Sequence, residues 1–132
     1  MIIGTKRGDI MFGNTRIAFA INTEGVGDKG FARVISNKYW HELAYRGGRS
    51  LGTVLSKKVK DVEFFALVCH SLHNGWNDQT NVIKKCFDGI PGNEPVAFIS
   101  IGNGLIDLSG GDLTKIYRGM AMSNKKIILY QP

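Results

Sequence analysis

The stretch that decides the fold is IAFAINTEGVGDKGFA, residues 17–32. The apolar run Ile17–Ile21 is typical of a buried strand, and Gly25, Gly27 and Gly30 follow before a helix begins. Glycines let the backbone approach an anion closely, and the N–H groups at a helix start point towards it along a favourable dipole. The sequence therefore predicts a strand, loop and helix that together hold a phosphate group.

Length and composition predict one domain, residues 1–132, because 132 residues with 43% hydrophobic content can bury a substantial core. The sequence has no apolar run of about 20 residues and no signal-peptide pattern, so we expect a cytoplasmic protein without a membrane partner. Cys69 and Cys86 lack a CxxC spacing, and we expect two buried thiols. The loop spacing of His70, His73 and Asp78 fits no zinc pattern, so no metal or cofactor is expected.

Apolar, β-branched runs alternate with amphipathic stretches along the chain. The predicted strands are residues 17–21, 53–56, 64–69, 96–101 and 127–130, with residues 2–3 and 9–12 as a candidate edge strand. The predicted helices cover about residues 30–43, 77–87 and 112–123. The first helix is expected to bury Phe31, Val34, Ile35, Tyr39 and Leu43. This alternation predicts an α/β protein of three layers, with a mixed sheet of about six strands flanked by helices and a ligand site beyond the strands' carboxyl ends.

The formal net charge of +6 is unevenly distributed. Residues 29–60 contain eight Lys or Arg residues and one acid, Glu42, which indicates an anionic partner. No basic run is interleaved with aromatic residues in the manner of a nucleic-acid stacking platform. A nucleotide ligand, or a basic surface that serves solubility, is therefore favoured over nucleic acid, which stays open as an alternative.

A second glycine-rich loop, residues 101–111, leads into the third predicted helix. Two such loops at helix starts are enough to grip a diphosphate. The first loop matches the dinucleotide pattern G-x-G-x-x-G, but three residues separate its strand from the first glycine and no acidic residue follows at the required distance. A Rossmann fold and a P-loop NTPase are therefore disfavoured.

The order of the short motifs resembles that of the macro domain family. Gly8-Asp9-Ile10 is similar to the family's Gly-Asp-Ile, and a strand ending in Asn22 precedes a loop, residues 25–32, that resembles Gly-x-x-x-Lys-Gly-x-Ala. Residues 100–105, SIGNGL, are similar to the Ile-Gly-x-Gly-Leu loop of the smaller macro domains. These include the subgroup that removes terminal ADP-ribose, ADP-ribose 1″-phosphatase-like proteins, and their phage and bacterial relatives.

The resemblance implies an ADP-ribose site. In it, Asp9 would accept a hydrogen bond from the adenine amino group, Asn22 would face the distal ribose, and the two glycine loops would hold the diphosphate. The implied ligand-binding residues are Asp9, Ile10, Asn22, Thr23, Gly25, Lys29, Gly30, Phe31, Ser71, Gly102, Asn103, Gly104, Leu105 and Ile106. Each has a plainer alternative: Asp9 as the cap of a turn, Asn22 as a turn residue, and Lys29 as a solvated charge.

Catalysis is where the chain departs from the subgroup. His70 stands where the subgroup has a lysine at the end of the fourth strand, and Ile106 stands where it has an acid, with Asp107 one residue later. The candidate catalytic residues are therefore Asp107, Asn22 and His70, because a carboxylate in a phosphate loop and an imidazole near neutral pH can act as acid or base. Alternatively, Asp107 caps the approach to a helix and His70 closes a strand.

Three functions follow as expectations. The first is a hydrolase acting on ADP-ribose 1″-phosphate or an ADP-ribosyl adduct. The second is a non-catalytic module that binds or sequesters ADP-ribose or a related signal nucleotide. The third is a nucleic-acid-associated protein that uses the basic stretch. The partners expected are ADP-ribose or a derivative, with an ADP-ribosylated protein or a nucleic acid as further candidates.

Overall fold

A six-stranded mixed sheet organises the chain in the computed structural model, which describes residues 1–26, 30–44, 48–70, 79–99 and 110–131. The strands are β1 (Ile2–Arg7), β2 (Arg16–Asn22), β3 (Val54–Val59), β4 (Val62–His70), β5 (Val96–Ile99) and β6 (Ile127–Gln131). The helices are α1 (Phe31–Lys38), α2 (Gln79–Asp88) and α3 (Gly110–Met122), with a short 3₁₀ helix at His41–Ala44. The predicted α/β fold is confirmed.

The strand order is β1-β6-β5-β2-β4-β3. All neighbouring strands run parallel except β3, which is antiparallel to β4. Five strands therefore end at the same side of the sheet, which we call the carboxyl edge. It is defined by the strand ends Arg7, Asn22, His70, Ile99 and Gln131. The opposite side, where these strands begin, is the amino edge.

Alternate residues of the central strands face two separate cores, because successive side chains of a strand point to opposite faces. On one face, Phe19 of β2 and Phe64 of β4 pack with Ile35 of α1. On the other face, Phe65 of β4 packs with residues of α2 and α3, among them Ile83. The sheet is thus covered on both sides, and its central strands are apolar on both faces, as the sequence predicts for buried strands.

Two predicted boundaries differ from the structure at the start of the chain. Strand β1 runs over Ile2–Arg7 and pairs with β6, so it is longer than residues 2–3. Residues 9–12 are not strand, and this prediction is wrong: they form a turn in which the N–H of Phe12 donates to the carbonyl of Asp9 at 3.1 Å. Gly8 has a φ of +119°, which directs the chain away from the strand.

The first helix ends earlier than predicted. α1 stops at Lys38 because the N–H groups of Tyr39 and Trp40 both donate to the carbonyl of Ile35, after which the 3₁₀ helix carries Leu43 into the core. The early end turns Trp40 onto Phe19, with ring centroids 6.4 Å apart. Val34 and Tyr39, both predicted to be buried, are 45% and 37% exposed, so that part of the prediction is wrong.

Cys69 and Cys86 are both buried thiols, as predicted. Burial raises the pKa of Cys69 well above its usual value, and it raises the pKa of Cys86 to about 12. Both side chains are therefore protonated at neutral pH and act as small apolar groups of the core. In the described part of the chain, every helix is too short or too polar to cross a bilayer.

Candidate functional site

Three of the predicted site residues lie at the carboxyl edge because each stands at or just beyond the end of a parallel strand. Asp9 follows β1, Asn22 ends β2 and His70 ends β4. Strands β2 and β4 are neighbours, whereas β6 and β5 lie between β1 and β2. At about 4.8 Å per strand, the ends of β1 and β4 lie roughly 19 Å apart along this edge. The edge therefore offers an elongated site rather than a compact pocket.

A register shift brings Asn22 opposite His70. Ile21 pairs with Val68, but Asn22 pairs with His70, so β4 carries one extra residue at this point. The N–H of Thr23 then donates to the carbonyl of His70 at 2.9 Å. The shift places His70 rather than Cys69 beside Asn22. The structure thus joins the ends of the two central strands through their backbones.

Asn22 also closes a tight turn. Its N–H donates to the carbonyl of Gly25 at 3.0 Å, and the Gly25 N–H donates back at 3.3 Å. The side-chain oxygen of Asn22 accepts a hydrogen bond from the N–H of Glu24 at 2.7 Å. The alternative role of Asn22 as a turn residue is therefore realised, and only its amide nitrogen is of the kind that would donate to a ligand oxygen.

The turn from Asn22 to Gly25 packs against the 3₁₀ helix. The N–H of Arg49 donates to the carbonyl of Thr23 at 2.9 Å. Gly25 has a φ of +134°, and a Cβ at this position would lie 3.1 Å from the carbonyl oxygen of Leu43. Gly25 is therefore required by both backbone conformation and space. Sequence reasoning singled out neither Leu43 nor Arg49 as support for this loop, because no local pattern indicates a contact across so many residues.

Asp9 stands at the far end of the site, where it is exposed. Its Oδ1 accepts a hydrogen bond from the N–H of Met11 at 2.9 Å, so the carboxylate caps the turn after β1, which is the alternative role weighed for it. Ile10 is 3% exposed and belongs to the core, so its side chain anchors the turn. Ile10 can contact a ligand only through its main chain.

The start of α1 follows the first glycine loop. Gly30, with a φ of +100°, precedes the helix and supplies no side-chain cap to its first N–H groups. Phe31 is half-buried and makes an edge-to-face contact with Phe19, with centroids 5.8 Å apart. This contact fixes the first turn of the helix against β2. The first N–H groups of a helix have no partner within the helix, and they favour anions.

His70 is half-buried at the end of β4. Burial lowers its pKa below the usual value of 6.5, because removal from water disfavours the charged ring. The imidazole is consequently neutral at physiological pH and can accept a proton. Among the residues that the structure describes, no group of three His, Cys, Asp or Glu side chains is arranged to hold a metal ion.

The other predicted site residues lie outside the described residues. They are Lys29, Ser71, Gly102, Asn103, Gly104, Leu105, Ile106 and the catalytic candidate Asp107. The described site therefore consists of Asp9 with Ile10, the turn from Asn22 through Thr23 to Gly25, Gly30 with Phe31, and His70.

Comparison with solved structures supports the fold. An alphavirus protein, P23pro-zbd, aligns with a TM-score of 0.61 and 12% identity over 96% of this chain. A crystal structure of a Bacteroides thetaiotaomicron protein, a structural genomics target, aligns with a TM-score of 0.65 and 14% identity over 98% of this chain and 99% of its own. This chain spans 21% of the alphavirus protein. At such identities the similarity establishes the α/β fold alone.

No protein-family model matches the chain, and no curated protein matches it either.

Proposed function

We propose that the chain binds ADP-ribose or an ADP-ribose derivative along the carboxyl edge and hydrolyses the derivative. The observation that carries this proposal is the row of Asp9, Asn22 and His70 at the ends of parallel strands, with the start of α1 beside it. Ligands of open α/β sheets bind outside the carboxyl ends of the strands. A nucleoside diphosphate sugar has polar groups at both ends and negative charge between them, which suits this arrangement.

The base would bind at Asp9 and the distal ribose at Asn22 and His70. A site of roughly 19 Å, estimated from strand spacing, suits a ligand with two sugars and a diphosphate. The exposed carboxylate of Asp9 would accept a hydrogen bond from the adenine amino group while keeping its bond to Met11. The N–H groups at the start of α1 would contact the diphosphate, whose charge the helix dipole favours.

For hydrolysis, the neutral imidazole of His70 would take a proton from the attacking water, and the leaving group would depart with the electrons of the broken bond. For ADP-ribose 1″-phosphate the leaving group is phosphate, and for an adduct it is the acceptor side chain. Asp107 is the proposed second catalytic group, as the carboxylate in the second glycine loop. This assignment of Asp107 rests on the sequence.

A second candidate is a binding module without catalysis. The observation in its favour is the end of β4, where His70 stands in place of the lysine found in the resembling subgroup. A binder needs the turn from Asn22 to Gly25 and the start of α1, but no base. Both candidates use the same site, so turnover separates them and binding does not.

Calorimetry tests the shared part of both candidates. The protein would be titrated with ADP-ribose, ADP-ribose 1″-phosphate, NAD and single-stranded RNA, and the products would be analysed afterwards. We expect binding of both ADP-ribose ligands and release of phosphate from the second. Absence of ADP-ribose binding at millimolar concentration would refute the proposal, whereas tight binding without phosphate release would support the non-catalytic module.

Asp9→Ala tests the base position. We expect about tenfold weaker binding of ADP-ribose, equivalent to about 1.4 kcal/mol, because a hydrogen bond to a charged group is lost. The matched ligand is IDP-ribose, whose hypoxanthine has no amino group and should bind wild type and variant alike. Equal losses for the two ligands would argue against an adenine contact at Asp9.

Asp107→Ala tests the chemistry. We expect phosphate release to fall by about a hundredfold or more, in line with loss of a general acid or base, while ADP-ribose affinity stays within a few-fold. Asp61→Ala, on the hairpin between β3 and β4, is the control carboxylate and should change neither quantity. A variant that retains full turnover would remove Asp107 from the mechanism.

A further inference from the structure

Strand β3 forms an outer edge of the sheet, with β4 as its neighbour. At its start, the N–H of Gly52 donates to the carbonyl of Val68 at 2.8 Å, and the N–H of Val68 donates to the carbonyl of Thr53 at 2.9 Å. Gly52 and Thr53 therefore both lie opposite Val68, which makes a bulge, and Thr53 forms a hydrogen-bonded pair with Val68. Because such pairs alternate in an antiparallel ladder, Leu55 continues that pattern, and the backbone groups of Val54 and Ser56 face away from β4.

The same alternation turns the N–H and C=O groups of Lys58 outwards, so three residues of β3 present backbone donors and acceptors at the outer edge. An edge of this kind is a template for pairing with another extended chain. The backbone hydrogen bonds between β3 and an added strand would not depend on the sequence of that strand. The surrounding surface must then select the occupant.

A groove of about 560 Å³ adjoins this edge. Its lining consists of the β3 residues Val54, Leu55 and Ser56, together with Trp40, Glu42, Leu43 and Arg49. Consecutive residues of a strand point to opposite faces, so a groove lined by three of them runs along the strand's edge rather than across one face. Its volume falls within the range typical of ligand sites.

The charge of this region favours an acidic occupant. The described residues from 43 to 60 include four basic side chains and no acid: Arg49, Lys57, Lys58 and Lys60. The neighbouring acids are Glu42, 3.5 Å from the Lys57 ammonium, Asp61 on the hairpin, and Glu63, which pairs with Lys58 in the ladder. Four positive and three negative charges among the described residues from 42 to 63 leave a balance of +1. Opposite charges across neighbouring strands stabilise pairing, and like charges oppose it.

Two other occupants fit less well. A second copy of the chain, pairing β3 with β3, would bring together two strands that each carry Lys57 and Lys58. A nucleic acid would need exposed rings for base stacking, and the aromatic residue of the groove, Trp40, is only 7% exposed. Lysines on edge strands discourage unwanted pairing, and here they would disfavour a basic strand and favour an acidic one.

We propose that the outer edge of β3 and its groove bind an extended peptide segment with acidic side chains, which adds to the sheet as a further strand. The groove is linked to the candidate functional site through Arg49, which lines the groove and whose N–H donates to the carbonyl of Thr23. A bound peptide would therefore present its side chains next to that site. The inference itself needs only β3 and the groove, and it stands whether or not the chain binds ADP-ribose.

Ser56→Pro is the decisive variant. The N–H of Ser56 faces away from β4, so proline keeps the ladder between β3 and β4 but removes a donor from the outer edge. Ser56→Ala keeps the donor and is the matched control. The probe is a fluorescent peptide alternating threonine and glutamate, compared with one alternating threonine and lysine. We expect the glutamate peptide to bind wild type and Ser56→Ala alike, and Ser56→Pro at least about tenfold more weakly, as a lost donor in a desolvated pair predicts.

Amide hydrogen exchange in the wild-type protein gives a second test that does not depend on the folding of the proline variant. We expect the peptide to slow exchange at Val54, Ser56 and Lys58, and to leave Leu55 and Lys57 unchanged because β4 already protects them. Unaltered exchange at the outward residues, equal binding to Ser56→Pro, or equal affinity for the glutamate and lysine peptides would overturn the proposal. Binding of an oligonucleotide in preference to both peptides would overturn it as well.

Discussion

The two edges of the sheet use polar residues in different ways. At the amino edge, charged side chains tie loops together. Arg16 at the start of β2 is 8% exposed; its Nη1 donates to the carbonyl of Glu94 at 2.6 Å and its Nη2 donates to the carbonyl of Pro91. Its guanidinium lies 5.2 Å from the centroid of Phe65. One buried cation therefore holds the loop before β5 against the core.

Asp88, the last residue of α2, holds the loop between α3 and β6 in place. Its carboxylate accepts hydrogen bonds from the Ser123 hydroxyl and the Lys84 ammonium, both at 2.7 Å, and from the N–H of Asn124 at 3.3 Å. Burial raises the pKa of Asp88, but the bonds from Lys84, Ser123 and Asn124 together outweigh burial, so the pKa lies below its usual value of 3.8. The amino edge is thus built from charge-assisted contacts among side chains and carbonyls.

The carboxyl edge holds its polar side chains differently. Asp9 and Asn22 each accept a hydrogen bond from the N–H two residues further on, which shapes a turn without tying two elements together. Gly25 and Gly30 have positive φ values there. We infer that substitutions at the amino edge cost the most stability and leave ligand binding unchanged, whereas those at the carboxyl edge cost less stability. The following predictions test this division.

Arg16→Ala should have the largest effect on the free energy of unfolding. The change leaves two carbonyl groups without their charged donor and opens space over Phe65, so we expect a loss of about 3 kcal/mol, measured by urea denaturation. Arg16→Lys, which keeps the charge but not the two-pronged contact, should lose less. Ligand affinity of the folded fraction should stay unchanged, and a parallel loss of affinity would break the division between the edges.

Gly25→Ala should lower the free energy of unfolding by about 2 kcal/mol, because alanine disfavours a φ of +134° and its Cβ would meet the Leu43 carbonyl at 3.1 Å. The control is Gly4→Ala, where an added Cβ meets nothing within 4 Å. A loss of stability in Gly25→Ala but not in Gly4→Ala would show that the contact between Gly25 and Leu43 supports the carboxyl edge. Equal melting temperatures for Gly25→Ala and wild type would show that the turn is not tied to the 3₁₀ helix.

His70→Gln should have the smallest effect on stability, and one that depends on pH. The folded pKa of His70 is lowered, so the unfolded chain binds more protons. The contribution of the neutral imidazole to the free energy of unfolding should be fully present above pH 6.5, and it should decline as the pH falls from there towards the lowered pKa. His70→Gln should flatten this decline. The measurement is the melting temperature across a pH series. An identical decline in the variant would assign it to another group.

The sequence predicted much of the fold because periodicity is a local property. The apolar runs identified β2, β4 and β6, and helical spacing identified α2 and α3 to within about two residues. The run at residues 9–12 was misassigned to a strand, because a buried Ile10 looks the same whether it belongs to a strand or anchors a turn. The prediction for Tyr39 was wrong because α1 ends at Lys38, before helical spacing reaches it, and the prediction for Val34 was wrong because the residues that α1 buries are Ile35 and Ser36.

The sequence by itself determined that this chain alternates buried strands with amphipathic helices, that glycine loops follow its strands, and that its cysteines are buried. Only the tertiary structure decided the strand order, which separates Asp9 from Asn22 by two strands and makes Asn22 a neighbour of His70. It also decided which edge of β3 faces outwards and where Arg49 meets Thr23. Spacing along the chain reports which face of an element is apolar, whereas strand neighbours depend on how all the faces pack together.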